Sequence, residues 1–251
     1  MDLRVPGGSP ATPKRVAVCA SSLPRDTMRV VRTLFLHGAG RSGTAAWPHQ
    51  VALGCDEWTF LDRDEAGDDP QRDAQRIVDV VPHGEECVVV AHSYGANAAV
   101  LASQRCPELV RGLVLFEPAC FDLARGWANV EAEIARMAPV FMAATDPSVT
   151  DLEFSALFAA TSGLAVPSLA AGELALQAAR LRTLASPWNT GIDPSLGVPV
   201  RCVVVTSASS ALYEDVAEAL VVLGAQHLIL PGSGHRPQDG VDVTALIEQV
   251  C

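Results

Sequence analysis

The chain has 251 residues, of which 49% are hydrophobic, and this is enough apolar material for one large α/β domain or two small ones. Its formal net charge of −11 argues against nucleic acid and against an anionic membrane as partners, because both would repel it. No apolar run reaches the roughly 18 residues that a membrane-spanning helix needs.

The first predicted elements lead to a glycine-rich loop. We expect a flexible lead at residues 1–14, a short strand at 15–19 and a buried strand at Val30–Leu36. The buried strand ends in residues 37–40, His-Gly-Ala-Gly. Glycines at the carboxyl end of a strand let the chain bend beneath a substrate carbonyl, so the Ala39 N–H is placed to donate a hydrogen bond to a developing oxyanion.

A serine follows the next buried run. The apolar residues 87–90 lead into residues 91–95, Ala-His-Ser-Tyr-Gly, and then into a run of small residues. This pattern predicts a strand, a tight turn at Ser93 and a helix, which is the arrangement of a nucleophile elbow. Its last glycine fits the pattern, and an alanine replaces the usual first glycine. The turn exposes the Ser93 hydroxyl and directs the Tyr94 N–H toward the same oxyanion.

The middle of the chain is predicted to be helical. A strand at Leu113–Phe116 ends in Glu117, and the sheet pattern resumes only at Val198. Between them, helical periodicity covers 126–144, 151–160 and 172–184, with breaks expected at Pro139, Pro147 and Pro167. We assign residues from about 121 to 193 to a helical insertion that lies over Ser93. Its apolar side chains can form a ceiling above the serine, although most of them are expected to pack inside the insertion; they are Met137, Phe141, Met142, Phe154, Leu157 and Phe158.

The last elements bring in a histidine. The strand Val200–Thr206 is followed by a serine-rich loop, and the helix Leu212–Leu223 comes after it. A further apolar strand at residues 228–230 then runs into a glycine-rich loop that ends in His235. Imidazole is the side chain whose ordinary pKa lets it take a proton from serine and return it near neutral pH.

Residues 37–40, residues 91–95 and Gly234-His235, in this order, resemble the α/β-hydrolase superfamily in its single-domain form, with a helical cap inserted after the sixth strand. The resemblance covers nearly everything from about Val30 to the C-terminus. It implies an α/β fold with a mostly parallel central sheet flanked by helices, and one domain at residues 15–251. It also implies a nucleophile at Ser93, a base at His235 and an acid between them in the sequence.

The position of the acidic residue in the sequence differs from the commonest pattern of that superfamily. An Asp is usual a few residues after the seventh strand, and Ser210 stands at that position here. Some members place the acid at the end of the sixth strand instead, which favours Glu117, although a Glu-Pro pair can also merely end a strand. Three other carboxylates are weaker candidates, because Glu214 and Asp215 fit the solvated face of a helix and Asp239 fits a helix start.

The resemblance implies a cofactor-independent serine hydrolase that cleaves an ester, thioester or related acyl bond of a small, apolar substrate through an acyl-enzyme. Two alternatives stay open. The same fold hosts non-hydrolytic enzymes such as lyases and acyltransferases, and Ser210 at the usual Asp position also suits a non-catalytic, ligand-binding member.

Seven scattered cysteines form no Cys-x-x-Cys pair and no cluster with histidine, so we expect no metal, and the resemblance itself implies no cofactor. Their odd number and their apolar surroundings favour reduced, buried thiols. Reduced thiols in turn favour a cytoplasmic location.

Overall fold

The computed structural model describes residues 31–39, 41–62, 67–162 and 171–251. Four features predicted from the sequence lie outside these residues. They are the lead at 1–14, the strand at 15–19, Gly40 of the glycine-rich loop and the break at Pro167.

The strands of the described residues form one sheet. They are β1 (Val31–Leu36), β2 (Trp58–Phe60), β3 (Glu86–His92), β4 (Val110–Phe116), β5 (Arg201–Thr206) and β6 (Gln226–Ile229). All neighbours pair in parallel, in the order β2-β1-β3-β4-β5-β6. The central strands are apolar along most of their length because helices cover both faces of the sheet. The predicted α/β fold with a mostly parallel sheet is confirmed.

Helices of the described residues surround this sheet. They are α1 (Gly43–Ala46), α2 (Pro48–Val51), α3 (Pro70–Val80), α4 (Gly95–Arg105), α5 (Ala128–Thr145), α6 (Asp151–Ser162), α7 (Ala171–Arg182), α8 (Ala211–Val222) and α9 (Val243–Val250). One face of the sheet packs against α3, α4 and α8, and the other packs against α9 and Trp47. The helix α9 lies so close to β4 that a Cβ at Gly112 would sit 2.5 Å from the Val250 carbonyl oxygen.

The predicted helical insertion contains α5, α6 and α7, which lie between β4 and β5 in the chain. Short 3₁₀ turns at Phe121–Ala124 and Pro194–Leu196 flank them. The break predicted at Pro139 is wrong, because this proline lies inside α5. Burial of Val130 and Val140 on either side of it holds the helix together despite the cost of about 3 kcal/mol for an internal proline. Pro147 does separate α5 from α6.

The insertion has a small apolar centre of its own, formed by Val140, Phe154 and Ala178. Most of the apolar side chains expected over Ser93 are used inside the insertion or against the core. Met137, Leu157 and Phe158 pack around this centre, and Phe141 contacts Trp188 with ring centroids 5.0 Å apart. The expectation is wrong for Met142, which is 73% exposed.

Arg182, at the end of α7, ties the three helices of the insertion together. Its guanidinium donates to the carbonyl oxygens of Ala143 and Ala144, both at 3.0 Å, and to that of Val149 at 2.6 Å. It also pairs with Asp151 and lies 4.5 Å above the ring of Phe154. These carbonyls belong to the end of α5 and the loop after it, so one side chain caps α5 and orients α6.

No helix in the described part of the chain combines the length and the apolar character that crossing a bilayer requires.

Candidate active site

The turn after β3 places Ser93 at the carboxyl edge of the sheet. Its φ is 51°, in the left-handed region that non-glycine residues rarely adopt, and its N–H donates to the Phe116 carbonyl oxygen of β4 at 2.8 Å. The helix α4 begins two residues later at Gly95, where a Cβ would lie 2.5 Å from the carbonyl oxygen of His37. The turn therefore closes only because residue 95 has no side chain.

His235 lies in the loop between β6 and α9, and its Nε2 is 3.2 Å from the Oγ of Ser93. The ring of His92 supports this loop, since its Nε2 donates to the backbone carbonyl oxygen of His235 at 2.7 Å. Burial, together with the nearby His235 imidazole, lowers the pKa of His92 to about 3. A neutral, buried His92 therefore positions the histidine loop and does not serve as a second base.

Glu117 follows β4 and is 1% exposed. Its N–H donates to the Val205 carbonyl oxygen of β5 at 2.9 Å. Its Oε1 accepts hydrogen bonds from the N–H and the hydroxyl of Ser207, at 2.7 and 2.8 Å. Its Oε2 lies 3.6 Å from Nδ1 of His235 and accepts no hydrogen bond from any described residue. The structure thus brings Ser93, His235 and Glu117 into one row.

This row has the composition needed for proton transfer. An imidazole can accept a proton at Nε2 from a hydroxyl while a carboxylate near Nδ1 favours the charged ring. The 3.6 Å separation exceeds a hydrogen bond, but such contacts commonly tighten when substrate binds. Backbone strain is also concentrated here: Ser93, Glu117 and Ala208, the neighbour of Ser207, all have positive φ.

Tyr213, in the first turn of α8, lies against the same histidine. Its ring stacks on the His235 imidazole with centroids 4.8 Å apart and an interplanar angle of 25°. Burial raises the pKa of Tyr213 to about 12. The phenol therefore keeps its proton near neutral pH and lies as a neutral ring against the imidazole.

The glycine-rich loop after β1 packs against the serine turn. A Cβ at Gly38 would lie 3.2 Å from the Cβ of Ser93 and 2.9 Å from Nδ1 of His92. This contact brings the next residue, Ala39, to the side of the serine. Tyr94 directly follows Ser93 and precedes the first residue of α4, and its hydroxyl donates to the Asp68 carbonyl oxygen at 3.2 Å. The oxyanion roles of the Ala39 and Tyr94 N–H groups stay predictions.

Comparison with protein families identifies the fold. The model of a family described as "Alpha/beta hydrolase family" matches residues 33–245. The chain belongs to the alpha/beta hydrolase family. A comparison with curated protein sequences finds no match.

Solved structures resemble this alpha/beta hydrolase at low sequence identity. The structure of MenH from S. aureus is 12% identical, with a TM-score of 0.58, and covers 88% of this chain and 94% of its own. A thermophilic esterase from Thermogutta terrifontis is 16% identical, with a TM-score of 0.55 and 88% of both chains covered. A carboxylesterase structure from Nitrososphaera gargenis is 12% identical, with a TM-score of 0.54, covering 88% and 89%. These likenesses show the fold alone.

The weaker acid candidates make other contacts in this hydrolase. Glu214 accepts a hydrogen bond from the Ala208 N–H, and Asp215 accepts two from Asn129 at the start of α5. Asp239 pairs with Arg236 inside the histidine loop. The helix start expected at Asp239 is wrong, since α9 begins four residues later.

The N-terminus of α9 is capped by Asp242, whose side chain accepts from the N–H of Thr244 at 3.0 Å. At the position where the acid was first sought, Ser210 directly precedes α8, and its side chain makes no capping hydrogen bond.

Two residues that contact Glu117 or His235 were not found from the sequence. Ser207 is the first residue after β5. Functional sites in parallel sheets lie at the carboxyl ends of the strands, so this position in the sequence could have indicated Ser207. Tyr213 offered no such signal, because its approach to His235 depends on how α8 packs. Among the described residues, no group of three or more His, Cys, Asp or Glu side chains could hold a metal ion.

Proposed function

We propose that this alpha/beta hydrolase is a cofactor-independent serine hydrolase that cleaves an ester, thioester or related acyl bond. The observation that carries the proposal is the row in which Nε2 of His235 lies 3.2 Å from Ser93 Oγ and Nδ1 lies 3.6 Å from Glu117 Oε2. Three chemically complementary groups at one sheet edge, on residues far apart in the chain, support a shared reaction.

In the proposed reaction, Ser93 Oγ attacks the substrate carbonyl while Nε2 of His235 takes the hydroxyl proton. The N–H groups of Ala39 and Tyr94 hold the oxyanion. The charged imidazole then gives its proton to the leaving group, which departs and leaves an acyl-enzyme. Water, deprotonated by His235, attacks this ester, and the proton returns to Ser93 as the acid product leaves.

Glu117 acts in both halves of this reaction by stabilising the imidazolium and keeping Nδ1 protonated. Its burial strengthens the interaction, and the two hydrogen bonds from Ser207 fix one carboxylate oxygen, so that the other faces His235. The alternative of a ligand-binding protein was based on Ser210, which stands where an Asp is usual. Glu117 offers the carboxylate that is missing at that position. Tyr213 stacks on the His235 ring and so restricts the imidazole to the orientation in which Nε2 faces Ser93 Oγ.

Hydrolysis of a panel of p-nitrophenyl esters with acyl chains of different length tests the proposal. The wild type should release p-nitrophenolate and the free acid, and Ser93→Ala should lose at least about 10³-fold in kcat. The matched control is Ser210→Ala, which should keep wild-type rates. Equal activity in the wild type and in Ser93→Ala would overturn the proposal. Transfer of the acyl group to an added alcohol in preference to water would favour an acyltransferase.

We also propose a cytoplasmic location and a small-molecule substrate in place of nucleic acid or membrane. The six described cysteines are free thiols, which supports a reducing compartment. When the protein from its own cells is denatured and treated with a maleimide, all seven cysteines of the chain should be modified. A lower count, restored by a reductant, would contradict the reducing compartment.

A further inference from the structure

A cavity of about 310 Å³ opens beside the serine turn, between the loop after β1 and helix α7. Ala39 lines it and directly follows Gly38, which packs against Ser93. A substrate carbonyl held at the Ala39 N–H therefore has this cavity next to it. Its volume is at the lower end of the range of about 300–1,000 Å³ for ligand sites, which indicates a small ligand.

Charged side chains line this cavity. Among the described residues of its wall are Arg41, from the loop after β1, Arg180, from the last turn of α7, and Asp68. The chain as a whole carries a net charge of −11, so an anionic group is repelled by most of the surface and needs a local cation to be held.

Arg180 differs from other arginines of the helical insertion. Arg125, Arg136 and Arg182 each pair with a carboxylate, whereas Arg180 forms no ion pair with any described residue. Gln177, one turn earlier on α7, also lines the cavity, and its buried Oε1 accepts no hydrogen bond from the described residues. A planar guanidinium with free donors suits a carboxylate, and the amide can complete the recognition of a polar ligand.

The described wall of the cavity also includes the apolar side chains of Leu181 and Leu184. A ligand that fits has a short apolar section and an anionic end. We propose that the substrate is an ester or thioester carrying a carboxylate a few carbons from the scissile carbonyl, and that Arg180 binds this carboxylate. The inference rests on the proposed acyl chemistry at Ser93, and it refines the small apolar substrate expected from the sequence to one that ends in a charge.

Binding to the inactive protein tests the site independently of turnover. Monomethyl glutarate and methyl pentanoate have the same acyl chain and differ by one carboxylate, which only the first carries. In calorimetric titrations of Ser93→Ala at low salt, monomethyl glutarate should bind at least about tenfold more tightly than the neutral methyl pentanoate. Adding Arg180→Gln should remove about tenfold of monomethyl glutarate affinity, whereas the matched control Arg136→Gln, which removes an arginine of α5, should not. Equal binding of both ligands would overturn the inference.

Turnover separates the two positions that the carboxylate can take. The p-nitrophenyl monoester of glutaric acid, compared with p-nitrophenyl pentanoate, carries the charge on the acyl side. The butyrate ester of 3-carboxy-4-nitrophenol, compared with p-nitrophenyl butyrate, carries it on the leaving group. At least one charged ester should have a kcat/KM about tenfold above that of its neutral partner, and Arg180→Gln should abolish the difference.

The outcomes distinguish the carboxylate site from the proposed serine hydrolase activity on which it rests. Hydrolysis of all four esters with no preference for charge refutes the carboxylate site and leaves the serine hydrolase intact. Tight binding of monomethyl glutarate that depends on Arg180, without Ser93-dependent hydrolysis of any ester, refutes the hydrolase and supports the anion site.

Discussion

Replacing Glu117 with glutamine should disable His235 in two ways. It removes the negative charge near Nδ1, and it changes the tautomer of the imidazole. The N–H and hydroxyl of Ser207 both donate to the position of Oε1, so the amide oxygen of a glutamine will occupy that position. The amide N–H₂ then faces Nδ1 of His235. An Nδ1 atom that faces a donor is unprotonated, which leaves the proton on Nε2, where it blocks transfer from Ser93.

The size of the effect follows from the geometry. Opposite unit charges 3.6 Å apart attract by about 4.6 kcal/mol at an effective dielectric constant of about 20, and by about 1 kcal/mol in bulk water. Glu117 is buried and the His235 side chain is 46% exposed, so the effective value lies between these limits, at about 3–4 kcal/mol. We therefore expect kcat to fall about 10²–10³-fold.

The assay is steady-state hydrolysis of p-nitrophenyl acetate by Glu117→Gln and Ser210→Ala, with circular dichroism to verify that both fold. Ser210→Ala should stay within about twofold of the wild-type kcat, because Ser210 makes no contact with His235 that the structure records. A folded Glu117→Gln enzyme within about threefold of wild type, or a large loss in Ser210→Ala alone, would refute this reasoning.

Three further predictions test the surroundings of this row. Tyr213→Ala removes the ring that stacks on His235, so kcat should fall about 3–10-fold in stopped-flow deacylation, whereas Tyr213→Phe, which keeps the ring, should stay within about twofold of wild type. An unchanged rate in Tyr213→Ala would exclude a positioning role for the ring. The folded-state pKa of His92, about 3, lies below its ordinary 6.5, so the unfolded chain binds more protons between these values. Stability should therefore fall by about 2 kcal/mol from pH 7.5 to pH 5 in urea titrations, and by much less in His92→Gln. Arg182→Met should cost about 2–3 kcal/mol of unfolding free energy, against almost nothing for Arg136→Met, and equal losses would contradict the capping role.

Much of the fold was predictable because the strands are short apolar runs whose burial on both faces leaves a strong local pattern. The helix interrupted by Pro139 was not predictable in this way. Packing on both sides of the proline outweighs its local cost, and such packing is a property of the whole insertion. Asp239 shows the same limit, because its partner Arg236 draws it into the histidine loop while Asp242 caps α9.

For the candidate site, motifs that depend on local backbone were accessible from the sequence. The turn at Ser93 needs a residue without a side chain at position 95, and both residues lie within one short stretch of the sequence. The partners of Glu117 and His235 were not accessible, since Ser207 and Tyr213 reach them across about 90 and 20 residues of chain. Such contacts depend on the tilt of α8 and on the course of the loop before it.

Covalent labelling with a fluorophosphonate, followed by peptide mass spectrometry, tests most directly whether His235 activates Ser93. The account predicts one phosphonylated residue, Ser93, and a labelling rate at least about 10²-fold lower in His235→Ala. Labelling of a different residue, or the same rate with and without the imidazole, would contradict it.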